Sequence, residues 1–250
     1  MMNLREYILA LEFMESAISY VTGIGGLHEA IKQSIGDLVI SRSSVQRWLK
    51  EHGIKEPISG SAAGGVGIAY FSGDYVIKVT SDPKEAQAAY HLKNYDSPYM
   101  AKIHDVKFIG CIDNNSIEGC PETPAEGDYK KRIFVILEEK LETNIAKKHR
   151  VAGQAVYSYL DATDSFISDI DSATERSIIQ FLAPKYKKDK DIANIIRQMF
   201  TGLKTIQDEK GILSRDPHGG NIGFKNRQPA FFDLGRIKSS HPNTNVGRII

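Results

Sequence analysis

The order in which hydrophobic periodicity changes along this chain of 250 residues restricts its fold more than any other feature. Apolar residues recur at helical spacing over 4–18 and over 192–206, whereas the stretches between and after them carry β-branched and aromatic runs. Those strand-like runs are 68–71, 75–80, 103–109, 132–137, 222–224 and 230–232. Strands grouped apart from helices predict an α+β fold.

Three regions follow from this order. Residues 1–57 are predicted to be a helical N-terminal region, with a turn at 36–40 and a third helix from Ser43. Residues 58–141 form a β-rich region with one helix, in which 110–131 is predicted to be a surface loop. Residues 142–250 are mainly helical and end in short strands.

Composition excludes several classes of protein. Lys and Arg total 32 and Asp and Glu total 31, so the chain lacks the basic excess of a protein that coats nucleic acid. No apolar run reaches the roughly 18 residues of a membrane helix, and the acidic N-terminus is not a signal peptide. Cys111 and Cys120 are too few for a disulfide framework. We expect a cytoplasmic protein with reduced cysteines and no membrane partner.

A run of small residues precedes the first strand-like run. Gly64, Gly65, Val66 and Gly67 lie between the predicted boundary and residue 68. Glycines let a hairpin bring its backbone N–H groups close to a phosphate. Loops of small residues are also common between strands that bind nothing, so both interpretations stay open at this point.

Lys78 interrupts the apolar run 75–79. A lysine in such a strand is costly to bury unless its charge meets an anion, which favours a phosphate clamp held by a nearby carboxylate. Glu85 is the nearest candidate, although Asp82 and Glu85 also have the spacing of a capping box. The other alternative is that Lys78 faces outward from an edge strand.

The loop 211–224 carries the strongest signal of chemistry. Asp216 and Asn221 lie five residues apart, between a helix and a strand, with Pro217 and two glycines between them. Asp216 could accept a hydroxyl proton as a general base, and Asn221 could offer a neutral oxygen to Mg²⁺. Asp233 follows an apolar run and precedes Leu234 and Gly235, which suits a second oxygen ligand for Mg²⁺.

Taken together, these segments resemble the eukaryotic-type protein kinases and their relatives over residues 60–238. The resemblance implies a two-lobed protein-kinase-like fold with a β-rich N-terminal lobe, a short helical C-terminal lobe, and ATP and Mg²⁺ bound. The implied catalytic residues are Asp216 as base, Lys78 and Arg215. The implied nucleotide-binding residues are Gly64, Gly65, Val66, Gly67, Lys78, Glu85, Leu137, Glu138 and Lys140. The implied metal ligands are Asn221 and Asp233.

Some positions depart from the usual kinase pattern. Ser214 replaces histidine, Leu234 replaces phenylalanine, and His218 replaces the lysine two residues after the base. The pattern Asp216-x-His218-x-x-Asn221 is more similar to aminoglycoside and choline phosphotransferases. The chain ends 15 residues after Gly235 without an Ala-Pro-Glu motif, so an acceptor platform is expected from 141–210 or from the N-terminal region.

This compact form looks like the early serine/threonine kinases of lytic bacteriophages, which implies host proteins as substrates. Residues 41–50 resemble the recognition helix of a helix-turn-helix DNA binder, with Arg42 at its start and Gln46 and Arg47 outward. The favoured alternative packs Trp48 onto the β-rich region. Three functions therefore compete: a serine/threonine protein kinase, a small-molecule phosphotransferase, and a nucleotide-sensing DNA-binding regulator without catalysis.

Overall fold

The computed structural model describes residues 25–63, 67–113, 116–118, 120, 131–144, 146–163, 189–233 and 237–239. These residues belong to two compact units. The first unit holds the described residues up to Ala86 and those within Val106–Leu137. The second unit holds Gln87–Asp105 and the described residues from Glu138 onward.

Helices and strands occupy separate stretches of chain. The helices are α1 (Gly25–Ser41), α2 (Ser43–Glu51), α3 (Pro83–His91), α4 (Lys147–Thr163) and α5 (Lys190–Lys210). The strands are β1 (Gly60–Ala63), β2 (Gly67–Ser72), β3 (Tyr75–Thr80), β4 (Ile103–Asp113), β5 (Ser116–Glu118), β6 (Lys131–Glu139), β7 (Ile212–Ser214), β8 (Ile222–Lys225), β9 (Gln228–Phe231) and β10 (Ile237–Ser239). The predicted α+β class is confirmed.

A six-stranded sheet with the order β1-β2-β3-β6-β4-β5 dominates the first unit. The β2–β3 hairpin is antiparallel and places Ala69 opposite Lys78. Its turn uses Gly73 at φ 55°, a conformation that glycine adopts readily. Because β3 lies between β2 and β6, Lys78 is on a central strand, and the edge-strand alternative is wrong.

One hydrophobic cluster joins the N-terminal helices to this sheet. Val45, Trp48 and Leu49 form the buried face of α2. They share their cluster with Ile77 on β3 and Leu137 on β6. The prediction that Trp48 packs onto the β-rich region is therefore confirmed. Residues on both sides of the boundary predicted at 57 contribute to this core, and the boundary itself stays a prediction.

A single residue, Arg42, connects α1 to α2, with φ −63° and ψ 133°. The turn predicted at 36–40 is wrong, because these residues lie inside α1. Gly36 is a packing position instead: a Cβ there would lie 2.2 Å from Tyr70 Oη. A helix-turn-helix motif joins its helices through a turn of about three to four residues. The connection at Arg42 is shorter than that.

The two cysteines form a disulfide across the β4–β5 strand pair, so the expectation that they are reduced is wrong. Cys111 lies opposite Glu118 in the ladder, which brings Cys120 within reach, with a Cα–Cα distance of 5.8 Å. The strand pair also replaces the first part of the loop predicted at 110–131. The sequence gives no period-2 signal there strong enough to predict it.

The second unit is built on the packing of α4 against α5. Asp189 caps the start of α5 through Oδ1, which accepts the N–H groups of Asp191 and Ile192, and Gly211 ends the helix at φ 66°. Gly202 is buried in α5, together with the apolar residues that the helical periodicity predicts: Ile192, Ile195, Ile196, Met199, Phe200, Leu203 and Ile206. Within the described ranges, no helix has the length and apolarity needed to cross a membrane.

Two short antiparallel pairs complete the second unit. β8 and β9 form a hairpin whose two turn residues, Asn226 and Arg227, both have positive φ, as a type I′ turn requires. β7 pairs with β10. The backbone of Phe231 also bonds to Tyr99 and Ala101, so β9 is held on its other side as well. These contacts fix the chain that leads to Asp233.

Candidate functional site

Lys78 and Glu85 form a buried salt bridge in the first unit, between Lys78 Nζ and Glu85 Oε1. The two side chains are 11% and 2% exposed, respectively. β3 supplies the lysine between the buried residues Ile77 and Val79, and the first turn of α3 supplies the carboxylate. The structure thus brings together the two residues that the sequence paired, seven positions apart.

The start of α3 has cap partners other than Glu85. Asp82 Oδ1 accepts the N–H of Lys84 at 2.8 Å, and the N–H of Asp82 donates to Thr80 Oγ1 at 3.1 Å. A capping box would use the Glu85 carboxylate for that second bond. The salt bridge to Lys78 therefore accounts for Glu85 better than the capping alternative does.

The glycine-rich segment is only partly described. Gly64, Gly65 and Val66 lie outside the described residues, and they connect β1 to β2 in the sequence. Gly67 has a packing reason to be glycine, since a Cβ there would lie 2.3 Å from the carbonyl oxygen of Val79. The close approach of β2 to β3 thus depends on Gly67. The nucleotide-binding role of all four residues stays a prediction.

The three residues predicted to meet an adenine ring differ in exposure. The Leu137 side chain is fully buried in the core cluster of the first unit. Glu138 is buried and Lys140 is exposed. Next to them, the N–H of Glu139 donates to the carbonyl oxygen of Lys102 at 2.8 Å. Their adenine-binding roles also stay predictions.

In the second unit, the loop 215–221 joins β7 to β8 and is held by its own hydrogen bonds. Asn221 Nδ2 donates to the carbonyl oxygen of Asp216 at 2.9 Å, and the N–H of Asn221 donates to that of His218 at 2.8 Å. Asn221 is buried, whereas the Asp216 side chain is 22% exposed. The loop therefore keeps a carboxylate accessible on a fixed backbone.

His218 has a defined orientation in this loop. Its Nδ1 accepts the N–H of Gly220 at 2.9 Å, so the neutral ring carries its proton on Nε2. Nε2 lies 3.7 Å from Asp216 Oδ1. Tyr157 on α4 packs edge-on against the imidazole, with 6.1 Å between ring centroids. The imidazole N–H is therefore on the same side as the carboxylate of the candidate base.

Helix α4 packs directly against this loop through Gly153, which is not among the residues predicted from the sequence. A Cβ on Gly153 would lie 2.6 Å from Ile222 Cδ1, 3.0 Å from the carbonyl oxygen of Pro217 and 3.1 Å from the nitrogen of Gly219. An isolated glycine within a helical pattern is the signal that could have identified it. Gly153 is thus a support of the loop.

Arg215 makes a contact typical of a structural residue. Its Nη2 donates to the carbonyl oxygen of Leu160 at 2.6 Å. Leu160 lies in the last turn of α4, where carbonyl groups have no partner within the helix and cations are favoured. The catalytic role predicted for Arg215 stays a prediction.

Two hydrogen bonds tie Phe232 and Asp233 to the residues at the two ends of the loop. The N–H of Phe232 donates to the carbonyl oxygen of Asn221 at 3.3 Å, and Ser214 Oγ donates to the carbonyl oxygen of Asp233 at 3.4 Å. The structure thus brings Asp216, Asn221 and Asp233 into one part of the second unit. Among the described residues, no three His, Cys, Asp or Glu side chains form a metal-type cluster. The predicted magnesium ligands are one amide and one carboxylate, both hard oxygen donors that suit this ion.

Comparisons with known proteins give matches among solved structures alone. No protein-family pattern and no curated protein sequence matches the chain. The aminoglycoside phosphotransferase APH(4)-Ia matches with a TM-score of 0.32 and 13% identity, over 78% of this chain and 72% of that one. A thermostable mutant of that enzyme, in a ternary complex with ADP and hygromycin B, matches with a TM-score of 0.30 and 11% identity over the same shares.

Proposed function

We propose that this chain is an ATP-dependent phosphotransferase that moves the γ-phosphoryl group of ATP to an alcohol hydroxyl. The observation that carries the proposal is the buried pair of Lys78 and Glu85 on a central strand and a neighbouring helix. A buried ion pair is costly to desolvate and contributes little net stability. A lysine held in this way is suited to binding the phosphates of a nucleotide.

The second unit supplies the groups for the transfer itself. Asp216 accepts the proton of the acceptor hydroxyl, which attacks the γ-phosphorus while the bond to the β-phosphate oxygen breaks. The hydrogen bonds of Asn221 and His218 within the loop hold the backbone around Asp216 before substrate binds. Such preorganisation lowers the entropy cost of reaching the reactive geometry.

Asn221 and Asp233 are the residues that would hold Mg²⁺. Asn221 Nδ2 is turned towards the Asp216 carbonyl, which makes Oδ1 the amide atom that can meet a cation. When bound, Mg²⁺ neutralises charge on the transferred phosphate. The remaining nucleotide contacts in this proposal are the predicted ones: Gly64, Gly65, Val66, Gly67, Leu137, Glu138 and Lys140.

Transfer of label from radiolabelled ATP tests the proposal. Asp216→Ala is expected to lower the rate by about 10²–10⁴-fold, because the acceptor loses its general base. Asp208→Ala is the matched control: this carboxylate lies at the surface of α5, paired with Lys204, and its loss should leave the rate unchanged. Full activity in the Asp216 variant would refute the assignment of the base.

The proposed acceptor is a serine or threonine hydroxyl of another protein, in the cytoplasm of a host cell if the resemblance to bacteriophage kinases holds. A small-molecule acceptor is the second candidate, favoured by the Asp216-x-His218-x-x-Asn221 pattern and by the imidazole beside Asp216. Incubation with a cell lysate separates the two. Labelled protein bands support the first acceptor, and labelled metabolites without protein bands support the second.

The DNA-binding alternative has less support. The inward face of α2 is used in the core of the first unit, and α1 meets α2 through Arg42 without the turn of a helix-turn-helix. Gln46 on α2 donates its side-chain amide to the carbonyl oxygen of Ile40, so one of the residues predicted to face DNA has an internal contact. We therefore base the proposal on catalysis.

A further inference from the structure

We propose that helix α1 is a positioning element for nucleotide binding, because it holds the β1–β2 strand pair in register with the strand of Lys78. The consequence for binding rests on the proposed function, whereas the contact between helix and strands is independent of it. The residues that make this contact are Gln33, Gly36 and Asp37 on α1, Ser61 on β1 and Tyr70 on β2.

A short hydrogen-bond network links α1 to both strands. Tyr70 Oη donates to Asp37 Oδ1 at 2.8 Å and lies 3.4 Å from the carbonyl oxygen of Gln33. Gln33 Nε2 donates to the same Asp37 oxygen at 2.7 Å, and Gln33 Oε1 accepts from Ser61 Oγ at 2.9 Å. Gln33 and Asp37 are four residues apart and therefore lie on one face of the helix.

Close packing accompanies these hydrogen bonds. A Cβ at Gly36 would lie 2.2 Å from Tyr70 Oη and 2.4 Å from Ile68 Cγ2, so a larger residue would displace these side chains or α1. Tyr70 itself is almost fully buried. Burial, together with the hydrogen bond to Asp37, raises the pKa of the Tyr70 hydroxyl, which therefore stays a hydrogen-bond donor at neutral pH.

Strand β1 needs such a support. It is the edge strand of the sheet, and all four of its residues are exposed. An edge strand that buries no side chains opens readily, because little besides its ladder hydrogen bonds stabilises it. The bond from Ser61 to Gln33 anchors β1 to the helix, and Tyr70 anchors the adjacent strand.

The supported strands lead to the residues proposed to bind phosphate. β1 ends at Ala63 and β2 begins at Gly67, so the glycine-rich segment continues directly from both strands. Ala69, next to Tyr70, is the cross-strand partner of Lys78. Opening of β1 and β2 would therefore release the two strands that flank the glycine-rich segment, including the strand that pairs with Lys78.

Two substitutions and a matched control test the inference. Tyr70→Phe removes only the hydroxyl, and Gly36→Ala introduces a methyl group that collides with Tyr70 and Ile68. Ser72→Ala is the control, because this buried hydroxyl is on the same strand but donates to the carbonyl oxygen of Glu56. The measurements are amide hydrogen exchange in β1 and β2, and the dissociation constant of Mg-ATP.

We expect Tyr70→Phe to accelerate exchange in β1 and β2 by about tenfold and to weaken Mg-ATP binding by roughly five- to tenfold. Gly36→Ala should change both quantities in the same direction and more strongly. Ser72→Ala should leave the exchange of β1 and the dissociation constant of Mg-ATP close to those of the wild type. If β1 exchanges at the same rate in the wild type and in Tyr70→Phe, the contact with α1 does not stabilise this strand and the inference is wrong.

The outcomes for the two proposals are separable. If exchange rises in Tyr70→Phe while its Mg-ATP dissociation constant stays that of the wild type, the positioning inference fails and the proposed function stands. If the wild type binds no Mg-ATP, the proposed function fails, and so does the inferred role in binding. In that case the exchange rates still decide whether α1 supports the strands.

Discussion

The two parts of the candidate machinery are held by opposite means. In the first unit, Lys78 and Glu85 are buried, and each depends on a partner from another secondary-structure element. In the second unit, Asp216 stays partly exposed on a loop in which Asn221 and His218 make hydrogen bonds to the backbone of the loop itself. Lys78 and Glu85 are thus held by burial and by each other, whereas Asp216 is held by the backbone of its loop.

This difference has energetic consequences. A buried charge that loses its partner keeps its desolvation penalty, so the whole unit should lose stability. A loop carboxylate that is removed leaves no buried charge behind, so activity should fall with little change in folding free energy. Comparing the two kinds of variant therefore separates residues whose loss lowers the stability of the fold from residues whose loss lowers only the activity.

The largest effect is expected from Glu85→Ala. This variant should lower the free energy of unfolding by about 3–5 kcal/mol, because the Lys78 ammonium group is left buried without its carboxylate. The double variant Lys78→Met/Glu85→Leu should regain most of that stability but show no phosphoryl transfer. Urea denaturation and the transfer assay measure the two quantities.

The surface pair of Lys204 and Asp208 is the control for the buried pair. Its side chains are 32% and 53% exposed, so Lys204→Ala should cost below about 1 kcal/mol. If both pairs cost the same unfolding free energy when broken, burial does not explain the stability effect of Glu85→Ala. Transfer activity in the double variant would show that Lys78 does not bind phosphate.

Gly153→Ala tests how much the loop depends on α4. The added methyl group meets the backbone of Pro217 and Gly219, which cannot move as a side chain can. The expected cost is about 1–3 kcal/mol of unfolding free energy, which outweighs a gain of roughly 1 kcal/mol in helix propensity. The transfer rate should fall as well, because the backbone around Asp216 shifts.

The neighbouring exposed residue on α4 provides the comparison for Gly153. Gln154→Ala should change the unfolding free energy by less than about 0.5 kcal/mol and leave the transfer rate alone. If Gly153→Ala behaves like Gln154→Ala, the loop does not need the close approach of the helix.

Arg215→Ala is expected to cost about 1–2 kcal/mol of unfolding free energy, since the Leu160 carbonyl loses a charged donor. Assayed well below the melting temperature, a structural residue would leave the transfer rate intact. A rate that falls by tenfold or more under those conditions would instead support the catalytic role that the sequence predicts.

The smallest effect concerns pH. Burial lowers the pKa of His149 below its ordinary value of 6.5. The imidazole packs edge-on against the Phe224 ring, with 4.6 Å between the ring centroids. The unfolded chain therefore binds a proton more readily than the folded one, and stability is full above about pH 6.5 and falls below it. Unfolding free energies at pH 5.5 and 7.5 should differ less in His149→Gln, and an unchanged difference would assign the effect to other groups.

The sequence predicts best what short segments decide. The end of α5 at Gly211 and the loop from Asp216 to Asn221 both depend on residues close together in the chain, and helical spacing and turn residues are enough to infer them. Lys78 and Glu85, seven positions apart, are the most widely separated pair of residues that the sequence predicted to be in contact.

Contacts between distant segments were not predictable in the same way. Gly36 was interpreted as a turn, although its small size serves the approach of α1 to Tyr70, 34 positions further along the chain. Gly153 was missed for the same reason. A single sequence shows that a glycine is present, but only the three-dimensional neighbour shows why it is needed.

The disulfide joins Cys111 and Cys120, which are nine positions apart in the sequence. A ring of this size removes less freedom from the unfolded chain than a longer loop would, and the bond lies within one strand pair. Reducing agents should therefore open the bond without melting the sheet. We expect the sheet to keep its strand order in an oxidising medium and in a reducing one.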